Sequence, residues 1–355
     1  MKTAKNLVKK QFYYITILQV ISALSVVALH ANGAFWTYRD DSSWLLNNII
    51  ECVFYFAVPI FFMITGATLI DYQDRYDTKT FFKRRFLKIL IPFIFWSLFG
   101  LLFFGFIHGA HYKLDPLSIY NGIVEHSYVY IFWFFIPLIS IYLSIPLFAA
   151  VNKKKRLKTF KYLAILGTFL NILMPFLANC YSYVFHQRVA LGIEVGAVTG
   201  YLIYPIIGYL LHKANLHKKQ RRVIYVMAIA GLFIHIIGTV IVSKHAGRIE
   251  CLFKGYTNFP CVLYSIGIFV FFKYHENAKI FKKLKSSITF LAKYTFALYL
   301  VHQFILTELT NALSPLGILN TDLIFIPITL ILTILFSIAI IWLIRKLPFG
   351  KVLLP

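Results

Sequence analysis

The chain has 355 residues, of which 59% are hydrophobic and only 14% are charged, and its mean hydropathy is +0.74. Soluble globular domains carry roughly 25% charged residues, so this composition excludes a water-soluble protein and indicates an integral membrane protein. The net charge of +23 alone would suit a nucleic-acid-binding protein, a class that depends on where the cations lie.

Ten stretches of the chain approach the length of about 20 mostly apolar residues that a membrane-crossing helix needs. They lie at 12–34, 45–70, 88–107, 127–150, 161–182, 196–212, 223–242, 256–273, 288–311 and 322–345. Long apolar runs favour helices over an outer-membrane barrel, whose strands are short and alternate. The sequence therefore predicts an all-α, polytopic membrane protein with ten transmembrane helices, in a single domain that covers residues 1–355.

The lysines and arginines are distributed unevenly between the two ends of these helices. Alternate hydrophilic segments, counted from the N-terminal one, hold 29 of them, and the intervening segments hold 6. Because such an excess marks the cytoplasmic side, we expect cytoplasmic N- and C-termini and an even number of spans. The cations then face the anionic inner leaflet, and no nucleic-acid partner is expected.

Ionisable side chains within the predicted spans are rare, and such residues are functional candidates because burial in a bilayer is costly. His30, Glu51, His302 and Glu308 fall in the outer half of their spans, whereas His235 lies deeper and is interpreted as a packed histidine. Imidazole and carboxylate groups in one layer are suited to general acid–base catalysis. No metal site is predicted, because the four cysteines lack ligand spacing; Cys251 and Cys261 form a disulfide or remain free thiols.

A second candidate site lies at the cytoplasmic start of the third span, where Arg84, Arg85 and Lys88 follow one another at helical spacing. Arginine binds phosphate well, and a helix start at this point would add free N–H groups and a positive dipole end. The alternative is simple anchoring of the helix in the inner leaflet. Just before it, Gly66 permits either a break in the second span or a close backbone approach.

Five segments together resemble the membrane-bound acyltransferase-3 family, in its surface-polysaccharide O-acetyltransferase branch. The segments are Tyr14 to His30, Val58 to Gly66, Phe82 to Pro92, Trp133 to Leu147 and Phe296 to His302. The resemblance covers almost the whole chain, including the number of spans. One departure stands out: Gln19 occupies the position, eleven residues before His30, where the family commonly has arginine.

The resemblance implies an enzyme of the bacterial cytoplasmic membrane with no permanently bound cofactor. It would take cytoplasmic acetyl-CoA as co-substrate and transfer the acyl group to a sugar hydroxyl of a surface or lipid-linked glycan. Arg84, Arg85 and Lys88 would hold the CoA phosphates, and His30 would act as base or acyl carrier. Glu51, His302 and Glu308 are the further catalytic candidates. The alternative function is a transporter of glycan or lipid-linked sugar that performs no acyl transfer.

Overall fold

The computed structural model describes residues 12–316 and 322–355, and every regular element in those ranges is helical. The α-helices are α1 (Tyr13–Ala31), α2 (Ser42–Phe54), α3 (Ala57–Leu69), α4 (Thr78–Leu102), α5 (Pro116–Val124), α6 (Phe135–Ala150), α7 (Lys153–Gly167), α8 (Met174–Phe185), α9 (Ile203–Lys213), α10 (Lys218–Ala246), α11 (Phe259–His275), α12 (Lys279–Lys283), α13 (Lys285–Ala292), α14 (Thr295–Leu313), α15 (Asp322–Ile344) and α16 (Gly350–Leu353). The fold is therefore all-α over the described residues, as predicted.

Shorter helical segments complete or connect these helices. Two are π-helical, at Phe103–Ile107 and Thr168–Leu173. The 3₁₀ segments are Gly33–Trp36, Tyr72–Asp74, Tyr130–Phe134, Gly196–Val198, Gly200–Leu202 and Ser314–Leu316. The segment Tyr130–Phe134 matters most here, because it leads into α6 beside the candidate site.

Within the described ranges, seven helical stretches are long and apolar enough to cross a membrane, and an eighth qualifies if the bent pair α13–α14 counts as one span. These helices support a multi-pass membrane protein, but the number of ten spans stays a prediction. The remaining two predicted spans contain shorter helices. Helix α9 has 11 residues and α11 has 17, because Gly196 and Gly200 begin short 3₁₀ turns before α9 and loop residues precede Phe259.

Helix α1 lies at the centre of the bundle and contacts α2, α3, α11, α13, α14 and α15. Most of its side chains are buried, which explains why it is apolar on all sides rather than along one stripe. It ends at Asn32, whose side-chain amide donates to the carbonyl oxygen of Asn47 at 2.9 Å. His30 therefore sits in the last turn of the most enclosed helix, fixed by its neighbours.

Glycines allow α3 and α9 to pack with their backbones in contact. A Cβ atom on Gly66 would lie 1.9 Å from the carbonyl oxygen of Pro205, and one on Gly208 would lie 2.1 Å from that of Met63. Small residues bring membrane helices together in this way. Of the two expectations for Gly66, close approach is confirmed, and a break is wrong because α3 continues to Leu69.

The two ends of the bundle carry different ion pairs. At the end that we call the basic end, Asp71 pairs with Arg156 and Lys213, and Asp74 pairs with Lys153. At the opposite end, the pairs are Arg39–Asp322, Lys244–Asp40, Arg248–Glu250 and Lys254–Glu51. Residues predicted on one side of the membrane thus pair with one another, while the assignment of the basic end to the cytoplasm stays a prediction.

The four cysteines are free. Cys52 and Cys261 are buried and Cys251 is exposed. Of the two interpretations of the sequence, the disulfide between Cys251 and Cys261 is not formed.

Candidate active site

One cavity of about 690 Å³ joins the basic end to the histidine at the end of α1. Its wall includes Arg85 and Lys88 from α4, and it also includes His30. The volume lies within the range of roughly 300–1,000 Å³ that small-molecule pockets occupy. The structure therefore places two groups of predicted site residues, far apart in sequence, along a single cavity.

The imidazole of His30 is paired with that of His302 from α14. The Nδ1 atom of His30 lies 2.9 Å from the Nε2 atom of His302, although the residues are 272 positions apart. The rings are stacked with their centroids 5.0 Å apart. His302 is fully buried, whereas His30 is partly exposed and lines the cavity.

The hydrogen bonds of His302 determine the protonation pattern of the pair. Its Nδ1 atom lies 3.0 Å from the carbonyl oxygen of Leu298 and 2.9 Å from that of Tyr299. Carbonyl oxygens only accept, so Nδ1 of His302 carries the hydrogen, and Nε2 of the neutral ring accepts one from Nδ1 of His30. The Nε2 atom of His30 is then left with a free lone pair, as a general base requires.

At the basic end, Arg85 and Lys88 line the cavity with their charges uncompensated. The Nε atom of Arg85 is buried and has no hydrogen-bond partner among the described residues. The acidic residues in the same wall, Asp71 and Asp74, are already paired with Arg156, Lys213 and Lys153. Arg85 hydrogen-bonds to the uncharged side chain of Tyr142 in the same wall. An anion that enters here therefore meets cations that have no carboxylate partner among the described residues.

Arg84 is placed differently from Arg85 and Lys88. Its guanidinium lies over the ring of Tyr76, 4.8 Å from the ring centroid, and the residue is not part of the cavity wall. The sequence treated the three cations as one group, but a helix presents successive residues in different directions.

The expected contribution of a helix N-terminus to the phosphate site is wrong. Helix α4 begins at Thr78, seven residues before Arg85, and its N-cap Asp77 accepts a hydrogen bond from the backbone N–H of Thr80 at 2.7 Å. The hydrogen bonds from Thr80 also lower the pKa of the Asp77 carboxyl. The N-terminus is thus already occupied by a carboxylate, as helix caps commonly are.

Glu51 does not contact the imidazole of His30. Its carboxylate pairs with Lys254 Nζ at 2.8 Å and accepts a hydrogen bond from the side-chain amide of Asn32 at 3.2 Å. The ammonium group also lies over three aromatic rings, those of Tyr55 at 3.8 Å, Phe35 at 4.7 Å and Trp36 at 5.2 Å. Both side chains of the ion pair are almost fully buried, with exposures of 1% and 4%.

Glu308 lies apart from the histidine pair as well. It is exposed on α14 and forms an ion pair with His108, whose Nε2 atom is 2.7 Å from its carboxylate. Among the four catalytic candidates, the structure therefore brings together only His30 and His302, and the catalytic roles of Glu51 and Glu308 stay predictions.

Gln19 lines the cavity between its two ends, and its side-chain amide donates to the hydroxyl of Thr295 at 2.9 Å. Thr295 is the first residue of α14, directly after the 71° bend that separates α14 from α13. The uncharged residue in the position of the family's arginine therefore has a local partner, which ties α1 to the start of the helix that carries His302.

Three residues that the sequence did not single out contribute to the site. Tyr299 donates its hydroxyl hydrogen to the carbonyl oxygen of Ile131 and lines the cavity, and Lys213 pairs with Asp71 in the cavity wall. Lys254, the third, pairs with Glu51, although its sequence position between two predicted spans indicates only a loop cation. In the sequence, the signal for a buried cation is Glu51 itself, because a carboxylate within an apolar span requires a partner of opposite charge.

His235 is buried with neither ring nitrogen hydrogen-bonded to the described residues, and its ring packs edge-on against Tyr55 with centroids 5.3 Å apart. It is a packed histidine, as expected. No group of three or more His, Cys, Asp or Glu residues in the described ranges could hold a metal ion.

Comparison with known protein families gives a match over most of the chain. The family model described as the acyltransferase domain, of the acyltransferase-3 type, matches residues 12–342, nearly the whole chain. No curated protein matches the chain, and no solved structure matches it. The matched range contains the entire cavity-lining part of α1, α4 and α14.

Proposed function

We propose that this chain, which belongs to the membrane-bound acyltransferase-3 family, transfers an acetyl group from cytoplasmic acetyl-CoA to a sugar hydroxyl of a surface or lipid-linked glycan. Family membership supports acyl transfer by a multi-pass membrane protein. The donor, the acceptor and the bacterial cytoplasmic membrane as location belong to the proposal.

The observation that carries the proposal is a cavity lined by the cationic side chains of Arg85 and Lys88 at one end and by the imidazole of His30 at the other. The acidic residues of the cavity wall pair with other cations, so Arg85 and Lys88 have no carboxylate partner among the described residues. This suits them to the phosphates of a coenzyme A thioester. Most of the side chains that line the cavity between them and His30 are apolar, which suits an extended pantetheine arm.

In the proposed reaction, the sugar hydroxyl oxygen attacks the thioester carbonyl carbon while Nε2 of His30 takes the hydroxyl proton. The C–S bond then breaks, and the imidazolium returns the proton to the departing thiolate, so that an ester and CoA thiol are formed. Throughout, Nδ1–H of His30 keeps its hydrogen bond to His302, which holds the ring in orientation. His302 thus takes the place of the orienting third group in a triad, without carrying a charge.

The test uses the purified full chain in lipid nanodiscs, where both faces are accessible. Radiolabelled acetyl-CoA is supplied together with the glycan fraction extracted from cells that lack the chain. We expect labelled glycan and an equal amount of released CoA. A His30→Ala variant should lose about 10²-fold or more of the rate, which is the lower range for a general base.

His245→Ala is the matched control, because His245 lies in the last turn of α10, exposed and outside the cavity wall. It should behave like the unmodified chain. If the His30→Ala variant transferred acetyl groups at the same rate as the unmodified chain, the assignment of His30 as the base would be contradicted. A second assay uses the same chain reconstituted in sealed vesicles. Movement of glycan across the vesicle membrane without release of CoA would favour the transporter.

A further inference from the structure

His30 also has an aromatic neighbour that is not part of the cavity wall. The ring of Tyr130 meets the imidazole edge-on, with centroids 5.9 Å apart. Tyr130 is 57% exposed and does not line the cavity, whereas the next residue, Ile131, does. The 3₁₀ segment Tyr130–Phe134 therefore separates the cavity from an exposed face of the protein, and His30 contacts both.

This segment is held firmly on one side and weakly on the other. On the cavity side, the carbonyl oxygen of Ile131 accepts a hydrogen bond from the partly buried Tyr299. On the exposed side, the hydroxyl of Tyr130 donates to the side-chain oxygen of Gln303 over 3.4 Å, which is long for such a bond. Gln303 is the residue next to His302 on α14, so both partners of the weak contact adjoin the histidine pair.

A single base that serves two substrates must be reachable by both. The acyl donor, if it is held by Arg85 and Lys88, fills the cavity from the basic end, and the acceptor then needs another approach to the same imidazole. The ring partners of His30 are His302, which is fully buried, and Tyr130, which is exposed. An exposed tyrosine offers an apolar ring face on which the apolar face of a sugar ring can stack.

We infer that Tyr130 and Gln303 form the acceptor-binding contact of the active site, across the segment Tyr130–Phe134 from the donor cavity. The acceptor ring stacks on Tyr130, displaces the weak hydrogen bond to Gln303, and presents its hydroxyl to His30. Tyr130 is thus a residue that determines acceptor binding and leaves donor binding unchanged. This inference rests on the proposed function.

The experiment measures the KM for the extracted glycan and the KM for acetyl-CoA in the nanodisc assay. Tyr130→Ala should raise the KM for glycan about tenfold and leave the KM for acetyl-CoA within about twofold. Tyr130→Phe keeps the ring and should stay within about twofold for both. Tyr120→Ala is the matched control, because Tyr120 is a 63% exposed tyrosine on α5.

An equal rise of both KM values, or no rise for either, in Tyr130→Ala would overturn the inference. If Tyr130→Ala does not fold, Tyr130→Leu retains apolar bulk without the ring and carries the same expectation. If the unmodified chain transfers acetyl groups and His30→Ala does not, the proposed function holds. An unchanged KM for glycan in Tyr130→Ala would then overturn this inference alone. Absence of transfer by the unmodified chain would remove the proposed function and this inference together.

Discussion

Two polar pairs lie in the half of the bundle opposite the basic end, and they differ in charge and in surroundings. His30 and His302 are joined by a hydrogen bond, and His30 faces the cavity. Glu51 and Lys254 form a charged pair that is sealed by aromatic rings and by Asn32, and neither residue lines the cavity. Both pairs contain ionisable residues within predicted spans. A residue that lines the cavity can contact a substrate held there, whereas a pair sealed away from the cavity can act only through the packing of the protein.

The charged pair is nevertheless connected to the cavity through stacked rings. Tyr55, under the ammonium group of Lys254, stacks on Tyr256 with centroids 4.1 Å apart, and Tyr256 stacks on Trp133 at 5.4 Å. Tyr256 and Trp133 both line the cavity. Under the proposed function, bond-making falls to the histidine pair, and the charged pair positions the cavity wall.

The largest expected effect comes from removing one member of the charged pair. Glu51→Gln leaves the Lys254 ammonium buried without a counter-charge, which typically costs about 3–5 kcal/mol in the free energy of unfolding. Thermal unfolding of the purified protein in detergent should show a correspondingly large loss of stability, and Lys254→Met should act in the same way.

The double variant Glu51→Gln with Lys254→Met is the control that sharpens this comparison. Replacing both charges by uncharged groups of similar size is often nearly neutral, so stability and acyl transfer should largely return. A double variant that is stable yet inactive would contradict the supporting role and would make Glu51 a catalytic residue after all.

The second prediction concerns the orienting partner of His30. His302→Ala removes the acceptor of the Nδ1–H bond and should lower kcat by about 10–10² while leaving the KM for acetyl-CoA unchanged, because His302 does not touch the cavity. His302→Gln, whose amide oxygen can accept the same hydrogen bond, should recover part of the rate. Identical kcat values for the two variants would break the proposed orienting role.

The sequence located the two histidines but not their pairing. Apolar run lengths placed His30 and His302 in the same layer, because depth follows from the helical rise of 1.5 Å per residue. Which faces meet depends on how α1 and α14 pack, and the 71° bend before Thr295 carries no strong sequence signal. Burial of Lys254 was equally hidden, because a lysine between apparent spans is normally a solvated loop residue.

The basic end was predicted more completely in composition than in geometry. The helical spacing of Arg84, Arg85 and Lys88 predicts a cationic site at the start of the third span, and Arg85 and Lys88 do line the cavity. The start of α4 at Thr78 and the capping role of Asp77 were missed, because the span was defined by its apolar residues alone. Hydropathy marks the membrane-embedded part of a helix and not its first turn.

The third prediction tests the donor end of the cavity. Replacing both Arg85 and Lys88 by Gln should raise the KM for acetyl-CoA about tenfold, as expected for the loss of charge-assisted phosphate contacts, with little change in the KM for glycan. The matched control is the double replacement of Lys158 and Lys161 by Gln. Those lysines are exposed on α7, lie outside the cavity wall and give the same change in net charge.

Equal effects of the two double variants would mean that the basic residues act only through the overall charge of this end, as anchors to the anionic leaflet. A selective effect of the Arg85 and Lys88 variant on the donor would instead distinguish a binding site from an anchor. At raised salt, the KM values for acetyl-CoA of the unmodified chain and of the Arg85 and Lys88 double variant should become more similar. The reason is that exposed charges are screened within about 10 Å at 0.1 M salt.

The smallest effect is expected at Arg84, which the sequence grouped with Arg85. Its guanidinium stacks on Tyr76 outside the cavity, so Arg84→Gln should change the KM for acetyl-CoA by less than about twofold. The stacking at an exposed site contributes only about 0.5–1 kcal/mol, so the loss of stability should also be small. If Arg84→Gln raised the KM as much as Arg85→Gln does, phosphate binding would extend beyond the cavity wall, and the boundary drawn here between the two neighbouring arginines would be wrong.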